Sequence, residues 1–117
     1  MNDTLDNENI LAQRDPEGAL KVAAEQFTQA SFDAVVDNKE HDSREITSIV
    51  VTGMGGSALA ALLAKAWLKN DIAIPFEIIR GYDLPKYVGA NTLVIASSYS
   101  GNTEETVSAL GQATEKE

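Results

Sequence analysis

The feature that most constrains this chain is an apolar run that ends abruptly in glycines. Residues Ile49–Val51 are β-branched and typical of a buried strand, and the alanine- and leucine-rich segment after Ser57 predicts a helix. Between them, Gly53, Gly55 and Gly56 allow a tight turn and a close approach of the backbone to a ligand. The free N–H groups at the start of such a helix favour a bound anion. The sequence therefore predicts an anion-binding turn between a strand and a helix.

A second corner of the same kind comes later in the chain. The apolar segment Thr92–Ser97 predicts a strand, and the turn Ser98–Thr103 leads into a second amphipathic helix. Asn102 is the predicted cap of that helix, and Glu105 three residues later completes a pattern like a capping box. One glycine-rich or serine-rich turn alone often serves only packing or capping. Because both turns occur together, we expect the two corners to hold one phosphate.

The order of the predicted elements indicates an α/β fold. Strands are predicted at Ile46–Thr52, Ile72–Arg80 and Thr92–Ser97, and a helix over Ser57–Leu68 joins the first two. This alternation is typical of a doubly wound parallel sheet, here flavodoxin-like with strand order 2-1-3. The first and third turns then flank the switch point at which ligands bind, and the exit of the second strand, Gly81–Lys86, lies to one side. Three strands are few for this class, so we expect an incomplete sheet.

The N-terminal third of the chain is predicted to lie outside the sheet. Residues 1–14 are polar and acidic and predict a loose arm or a short helical turn. Residues 15–45 predict one amphipathic helix from Asp15 to near Asp37, followed by a charged connector. His41 lies in that connector and is expected to be a solvated loop residue.

Composition excludes several classes of function. The chain has 117 residues, enough for one modest core, and a net charge of −9, which repels nucleic acids and anionic membranes. It has no cysteine and one histidine, so we expect no disulfide and no metal site. No cofactor is expected either. Residues 1–13 are acidic and lack an apolar core, so no signal peptide is expected. No apolar run reaches the length of about 20 residues needed to span a bilayer, and the expected location is the cytoplasm.

The side chains of the two corners suit a monophosphate. Neither corner contains a lysine or an arginine, and a nucleoside triphosphate would normally require a P-loop lysine. Glu104 and Glu105 follow the second corner and are expected to point to solvent. Hydroxyl groups that can donate to phosphate oxygens are supplied by Ser57, Ser98, Ser100 and Thr103.

Three motifs of this chain are shared with a known family. They are Gly53–Ser57, Gly81–Pro85 and Ser97–Thr106, of which the last is the most specific. At these residues the sequence resembles the SIS (sugar isomerase) domain family, and within it the bifunctional phosphoglucose/phosphomannose isomerases. The resemblance extends from about Ile46 to the C-terminus, so residues 46–117 are expected to form the N-terminal part of a SIS domain.

The resemblance implies a sugar phosphate as ligand. It assigns phosphate binding to the backbone around Gly55 and Gly56 and to the hydroxyls of the two corners. It also implies an isomerase that interconverts glucose 6-phosphate or mannose 6-phosphate with fructose 6-phosphate through an enediolate, with a carboxylate as base. That base is expected after Glu117, and Glu104 or Glu105 is the alternative. The chain is therefore expected to be a truncated product, a proteolytic fragment or the product of a short gene, and to lack isomerase activity alone.

Two other functions compete with this interpretation. The first is a non-catalytic SIS module that senses a phosphosugar or makes only protein contacts. The second is a dinucleotide-binding domain, because Gly53–Ala58 fits the pattern G-x-G-x-x-A. That pattern normally has an acid at the end of the second strand, and Arg80 stands there, so only a dinucleotide with a 2′-phosphate stays open. Because an incomplete sheet exposes an edge strand, we expect a homodimer or association with the missing part of the protein.

Overall fold

The computed structural model describes residues 7–37 and 43–116 of the chain. Two compact units are distinguished, residues 1–40 and residues 41–117. Three predicted features fall wholly or mostly outside the described residues: the start of the acidic arm, the middle of the charged connector, and His41.

The acidic arm is helical where it is described. Helix α1 spans Glu8–Arg14. Its cap is Asn7, whose side-chain oxygen accepts the N–H groups of Asn9 and Ile10 at 3.1 and 3.3 Å. An asparagine in this position satisfies donors that the first helical turn leaves without partners. A local cap therefore explains why this polar segment forms a helix although none of its residues is buried.

The single leading helix predicted from Asp15 to near Asp37 is corrected by the structure. Helix α2 covers only Ala19–Ala24, and a 3-10 helix follows at Gln26–Ser31. The Asp15 carboxylate does accept two N–H groups of the first turn of α2, both at 2.8 Å. Gly18 precedes α2 in a left-handed conformation, and no residue of α2 is buried. Because short helices depend on a packed face, the predicted apolar periodicity alone does not sustain one long helix here.

The second unit contains a parallel sheet of three strands. Strand β1 spans Ser48–Thr52, β2 spans Phe76–Ile79 and β3 spans Thr92–Ala96, in the order β2-β1-β3. Val50 of β1 lies level with Val94 of β3. The predicted α/β class and strand order are confirmed, and the carboxyl ends of β1 and β3 are neighbours.

Helices cover both faces of this sheet. Helix α3 (Gly56–Trp67) packs on β1 and β2, and α4 (Glu104–Thr114) packs on β3. Since successive side chains of a strand point to opposite faces, Val50 faces α4, where it packs with Ala109, and Val51 faces the other side. The fully or nearly buried apolar side chains are Val50, Val51, Ala58, Ala61, Leu84, Val88 and Ala109.

The connection from β2 to β3 carries an exposed tyrosine–carboxylate pair. The Tyr87 hydroxyl donates a hydrogen bond to the carboxylate of Glu77 on β2. This bond, more than burial, raises the pKa of Tyr87 from its usual 10.0 to about 12. Because the pKa is higher in the folded chain, the pair stabilises the fold below about pH 10, and that contribution disappears as the pH rises through about 12.

Replacing Glu77 with alanine is therefore expected to lower the pKa of Tyr87 back toward its usual value. The measurement is an alkaline titration of tyrosinate absorbance in the parent chain and in Glu77→Ala, since the difference between the two curves isolates Tyr87. Glu115→Ala is the control, because it removes the same charge at the C-terminal end of helix α4. An unchanged titration curve in Glu77→Ala would contradict the hydrogen bond.

Candidate functional site

The first corner depends on a glycine in a conformation that other residues rarely adopt. Gly55, the cap of α3, has φ 52° and ψ −126°, where a Cβ atom would be strained. The N–H groups of Gly55 and Gly56 donate to no acceptor within residues 7–37 and 43–116, and both residues are exposed. The next N–H group, that of Ser57, already donates to the Met54 carbonyl at 3.1 Å. Two donors at the positive end of α3 are therefore open to an anion.

Gly53 brings the first corner into contact with the second. A Cβ atom on Gly53 would lie only 2.9 Å from the carbonyl oxygen of Ser97. The Ser97 N–H donates to the carbonyl of Thr52 at 2.8 Å, and its hydroxyl donates to the carbonyl of Ser57 at 3.4 Å. The pairing of β1 with β3 thus continues beyond the strands, and it holds the two turns against each other.

The second corner gathers three hydroxyl groups. The Oγ1 atom of Thr103 lies 3.0 Å from Oγ of Ser98 and 3.5 Å from Oγ of Ser100. The two serines also order the turn, because Ser98 accepts the N–H of Gly101 at 3.1 Å and Ser100 accepts the N–H of Asn102 at 3.3 Å. Gly101 has φ 72°, the left-handed conformation that favours glycine. Three of the four predicted hydroxyls therefore converge at one place.

The predicted cap of α4 is wrong. The helix begins at Glu104 with Thr103, not Asn102, in the cap position, and the Thr103 side chain makes no capping bond. The backbone N–H of Asn102 is engaged by Ser100, and the Thr103 hydroxyl turns toward the serines instead of the helix. As a result, the N–H groups of Glu104 and Glu105 have no acceptor within the described part of the chain. The capping box is replaced by a second set of open donors.

Ser57, Glu104 and Glu105 were also predicted near the two corners, and they lie outside the cluster of three hydroxyls. Ser57 is half-buried in the first turn of α3, and its hydroxyl has no hydrogen-bond partner among the described residues. Glu104 is exposed and Glu105 is half-buried. Since neither corner contains a lysine or an arginine, the donors of both corners are neutral N–H and O–H groups supported by two helix dipoles.

The sequence analysis placed the loop after β2 to one side and missed its contact with the second corner. The Tyr82 hydroxyl donates to a carboxylate oxygen of Glu104 at 3.1 Å, directly beside the second corner. That bond, together with the negative charges of Glu105 and Glu104, raises the pKa of Tyr82. The polar residues Glu104, Ser108 and Gln112 are spaced four apart and share one face of α4, which is the sequence signal that could have located this contact.

Thr106 is a further residue that the sequence analysis did not single out. It lies in the first turn of α4, is 3% exposed, and its hydroxyl has no hydrogen-bond partner among the described residues. Burying a hydroxyl without a partner costs roughly 1–3 kcal/mol. Packing alone therefore does not account for a threonine at this position.

A match to a known protein family covers the residues of both corners. A model of the SIS domain matches residues 44–117, more than half of the chain, and this span includes both corners. The chain belongs to the SIS domain family. The resemblance inferred from the three motifs is confirmed, and the three-stranded parallel sheet agrees with a flavodoxin-like SIS fold.

Several curated proteins resemble this SIS domain. The bifunctional phosphoglucose/phosphomannose isomerase of Caldicellulosiruptor bescii is 49% identical over 74 residues, which are 63% of this chain and 22% of that protein. The enzyme of the same name from Thermoplasma acidophilum is 43% identical over 70 residues, which are 60% of this chain and 22% of that enzyme. The Aquifex aeolicus enzyme is 42% identical over 66 residues, which are 56% of this chain and 21% of that enzyme. The chain thus spans only about a fifth of the length of these relatives.

Other comparisons found less. No solved structure matches the chain significantly. In the described ranges, no helix is long and apolar enough to cross a membrane. Those ranges also contain no group of three or more histidine, aspartate or glutamate side chains placed to hold a metal ion.

Proposed function

We propose that this SIS domain binds the phosphate group of a sugar phosphate between its two corners. The observation that carries the proposal is the convergence of the hydroxyls of Ser98, Ser100 and Thr103 within 3.0 to 3.5 Å. They adjoin a corner with two open N–H donors, at Gly55 and Gly56. Phosphate oxygens accept hydrogen bonds from donors of both kinds, and helix N-termini favour the negative charge. Ser57 is the fourth proposed hydroxyl ligand.

The absence of basic side chains from the corners points to the class of ligand. The chain as a whole has a net charge of −9, so an anion is attracted only at short range by the local donors. Such a site suits a monophosphate that is bound and released again. A nucleoside triphosphate carries more charge and is usually met by a P-loop lysine.

We further propose that the domain belongs to an aldose–ketose isomerase. The names of the relatives support phosphoglucose or phosphomannose as substrate. We propose the 6-phosphates of glucose or mannose, with fructose 6-phosphate as the product. Proton transfer between C1 and C2 requires a carboxylate base. We propose that this base lies outside residues 44–117, since the Glu104 carboxylate is already hydrogen-bonded to the Tyr82 hydroxyl, which donates to it at 3.1 Å.

The two alternative functions, a non-catalytic SIS module and a dinucleotide-binding domain, differ in the residues that they would use. A non-catalytic SIS module would bind the same ligand. Isomerase activity of the full gene product would exclude it. A dinucleotide domain would use the first corner only, and it leaves the serine cluster without a role.

The test is an amide-resolved NMR titration of the chain with fructose 6-phosphate. We expect chemical-shift changes in two segments, Gly53–Ser57 and Ser98–Thr103. Fructose without phosphate is the matched control and is expected to cause no change, and NADP⁺ tests the dinucleotide alternative. A folded spectrum that does not respond to fructose 6-phosphate would contradict the proposal.

Self-association of the chain stays a prediction. Strand β3 is at one edge of the sheet, and Leu93 and Ile95 on it are more than two-fifths exposed. An open edge with apolar side chains favours a partner strand. The expected cytoplasmic location likewise stays a prediction.

A further inference from the structure

One polar face of α4 fastens the loop after β2. The Gln112 amide nitrogen donates to the carbonyl of Tyr82 at 2.8 Å, and its amide oxygen accepts the N–H of Leu84 at 3.0 Å. The same nitrogen donates to the Ser108 hydroxyl at 3.2 Å. Two bonds from one side chain to the backbone hold the loop in a defined position along the helix. The place of the Tyr82 ring therefore depends on α4.

The hydroxyl of Tyr82 reaches back along α4 to Glu104. Gln112 lies eight residues after Glu104, which corresponds to about 12 Å along the helix axis. Tyr82 is thus anchored on the C-terminal side of Glu104, and its hydroxyl binds the carboxylate from that side at 3.1 Å. The bond therefore gives the Glu104 carboxylate a partner on the side of the anchored loop.

An untethered Glu104 would compete with an anionic ligand. A carboxylate in the first turn is attracted to the same N–H groups and the same helix dipole as a phosphate. At physiological salt, two negative charges within about 8 Å repel each other with little screening. Glu104 directly follows Thr103, so its carboxylate can approach these donors when no partner restrains it.

We propose that Tyr82 is a positioning residue that keeps the Glu104 carboxylate away from the phosphate site. This inference rests on the proposed function, because it concerns the affinity of that site. It adds a role for the loop Gly81–Pro85 and for Gln112, which secures the loop. Tyr82 acts through Glu104 and needs no contact with the ligand.

A double-mutant cycle with fructose 6-phosphate tests the proposal. We expect Tyr82→Phe to weaken binding about threefold to tenfold, because it frees a charge beside the site. Glu104→Gln is expected to strengthen binding about twofold to fivefold, because it removes that charge. In the Glu104→Gln background, Tyr82→Phe is expected to change nothing. NMR titrations give all four dissociation constants and show whether each variant is folded.

The chain provides a matched control pair. Tyr87 and Glu77 make the same kind of bond at the middle of β2, away from the corners. Tyr87→Phe removes an equivalent hydroxyl, and Glu77→Gln changes the net charge by the same amount as Glu104→Gln. Both control variants are expected to bind fructose 6-phosphate like the parent chain. An equal gain in Glu77→Gln and Glu104→Gln would show an effect of net charge and would overturn the proposal.

The outcomes distinguish the two proposals. If the parent chain does not bind fructose 6-phosphate, the proposed function fails and this inference fails with it. If the parent binds but Tyr82→Phe has no effect, the inference alone is overturned. It is also overturned if Tyr82→Phe weakens binding equally in both backgrounds, because Tyr82 would then contact the ligand directly.

Discussion

Replacing Ser98 with alanine is expected to weaken the binding of fructose 6-phosphate by about 10- to 100-fold, since a hydrogen bond to a charged group contributes roughly 1.5–3 kcal/mol. The Ser98 hydroxyl has two tasks in the second corner. It lies 3.0 Å from the Thr103 hydroxyl, and it accepts the N–H of Gly101, which orders the turn. The variant therefore loses a proposed ligand and loosens the others. Isothermal titration calorimetry measures the change.

Two threonine positions make this prediction specific. Thr103→Ala is expected to weaken binding by a similar factor, whereas Thr103→Ser keeps the hydroxyl and is expected to restore most of the affinity. Thr114→Ala is the matched control, because Thr114 lies at the other end of α4 and donates only to the carbonyl of Leu110. Parent-like affinity in both Ser98→Ala and Thr103→Ala would contradict the proposed site.

The substitution Gly53→Ala is expected to destabilise the chain by about 1–3 kcal/mol, the usual cost of overpacking. The new Cβ atom would lie 2.9 Å from the carbonyl oxygen of Ser97, a backbone atom that cannot rotate away. The ends of β1 and β3 would have to separate, which also moves the two corners apart. For a domain of this size we expect a fall in melting temperature of roughly 4–8 °C per kcal/mol. Thermal unfolding followed by circular dichroism measures it.

Another glycine of the same unit provides the control for this effect. Gly111 lies inside α4, and a Cβ atom there would meet nothing within 4 Å. Gly111→Ala is therefore expected to stabilise the chain by about 1 kcal/mol, the difference in helix propensity between the two residues. A Gly53→Ala variant as stable as the parent would show that the two corners do not depend on the close contact with Ser97.

The predictions made from sequence succeeded where the signal was local. The β-branched run before Gly53 and the alanine-rich run after Ser57 carry their own periodicity, so a strand and a helix were predicted with nearly the observed bounds. The parallel sheet followed from the alternation of elements, and its order β2-β1-β3 followed from the flavodoxin-like class. The helix after Asp15 failed for the opposite reason. Its apolar spacing was correct, but no packed face sustains it.

The cap of α4 shows why a local rule can fail at a candidate site. Asn102 is a good cap by residue type, yet Thr103 takes that position, and its hydroxyl faces two serines instead of the helix. Cap preferences apply to a helix end whose polar side chains have no other hydrogen-bond partners. Here the serine hydroxyls of the turn are partners for the Thr103 hydroxyl, so the first N–H groups of the helix are left without a side-chain acceptor.

By itself, the sequence determined the class of the sheet and the two glycine- and serine-rich corners, because backbone freedom, helix starts and hydrophobic periodicity are properties of neighbouring residues. Only the tertiary structure decided which atoms meet. The contact of Gly53 with Ser97 and the bond from Tyr82 to Glu104 join residues 44 and 22 positions apart. Such pairs depend on strand register and on how a loop lies along a helix. Both are set by contacts between segments that are distant in the sequence, and these contacts form only when the sheet assembles.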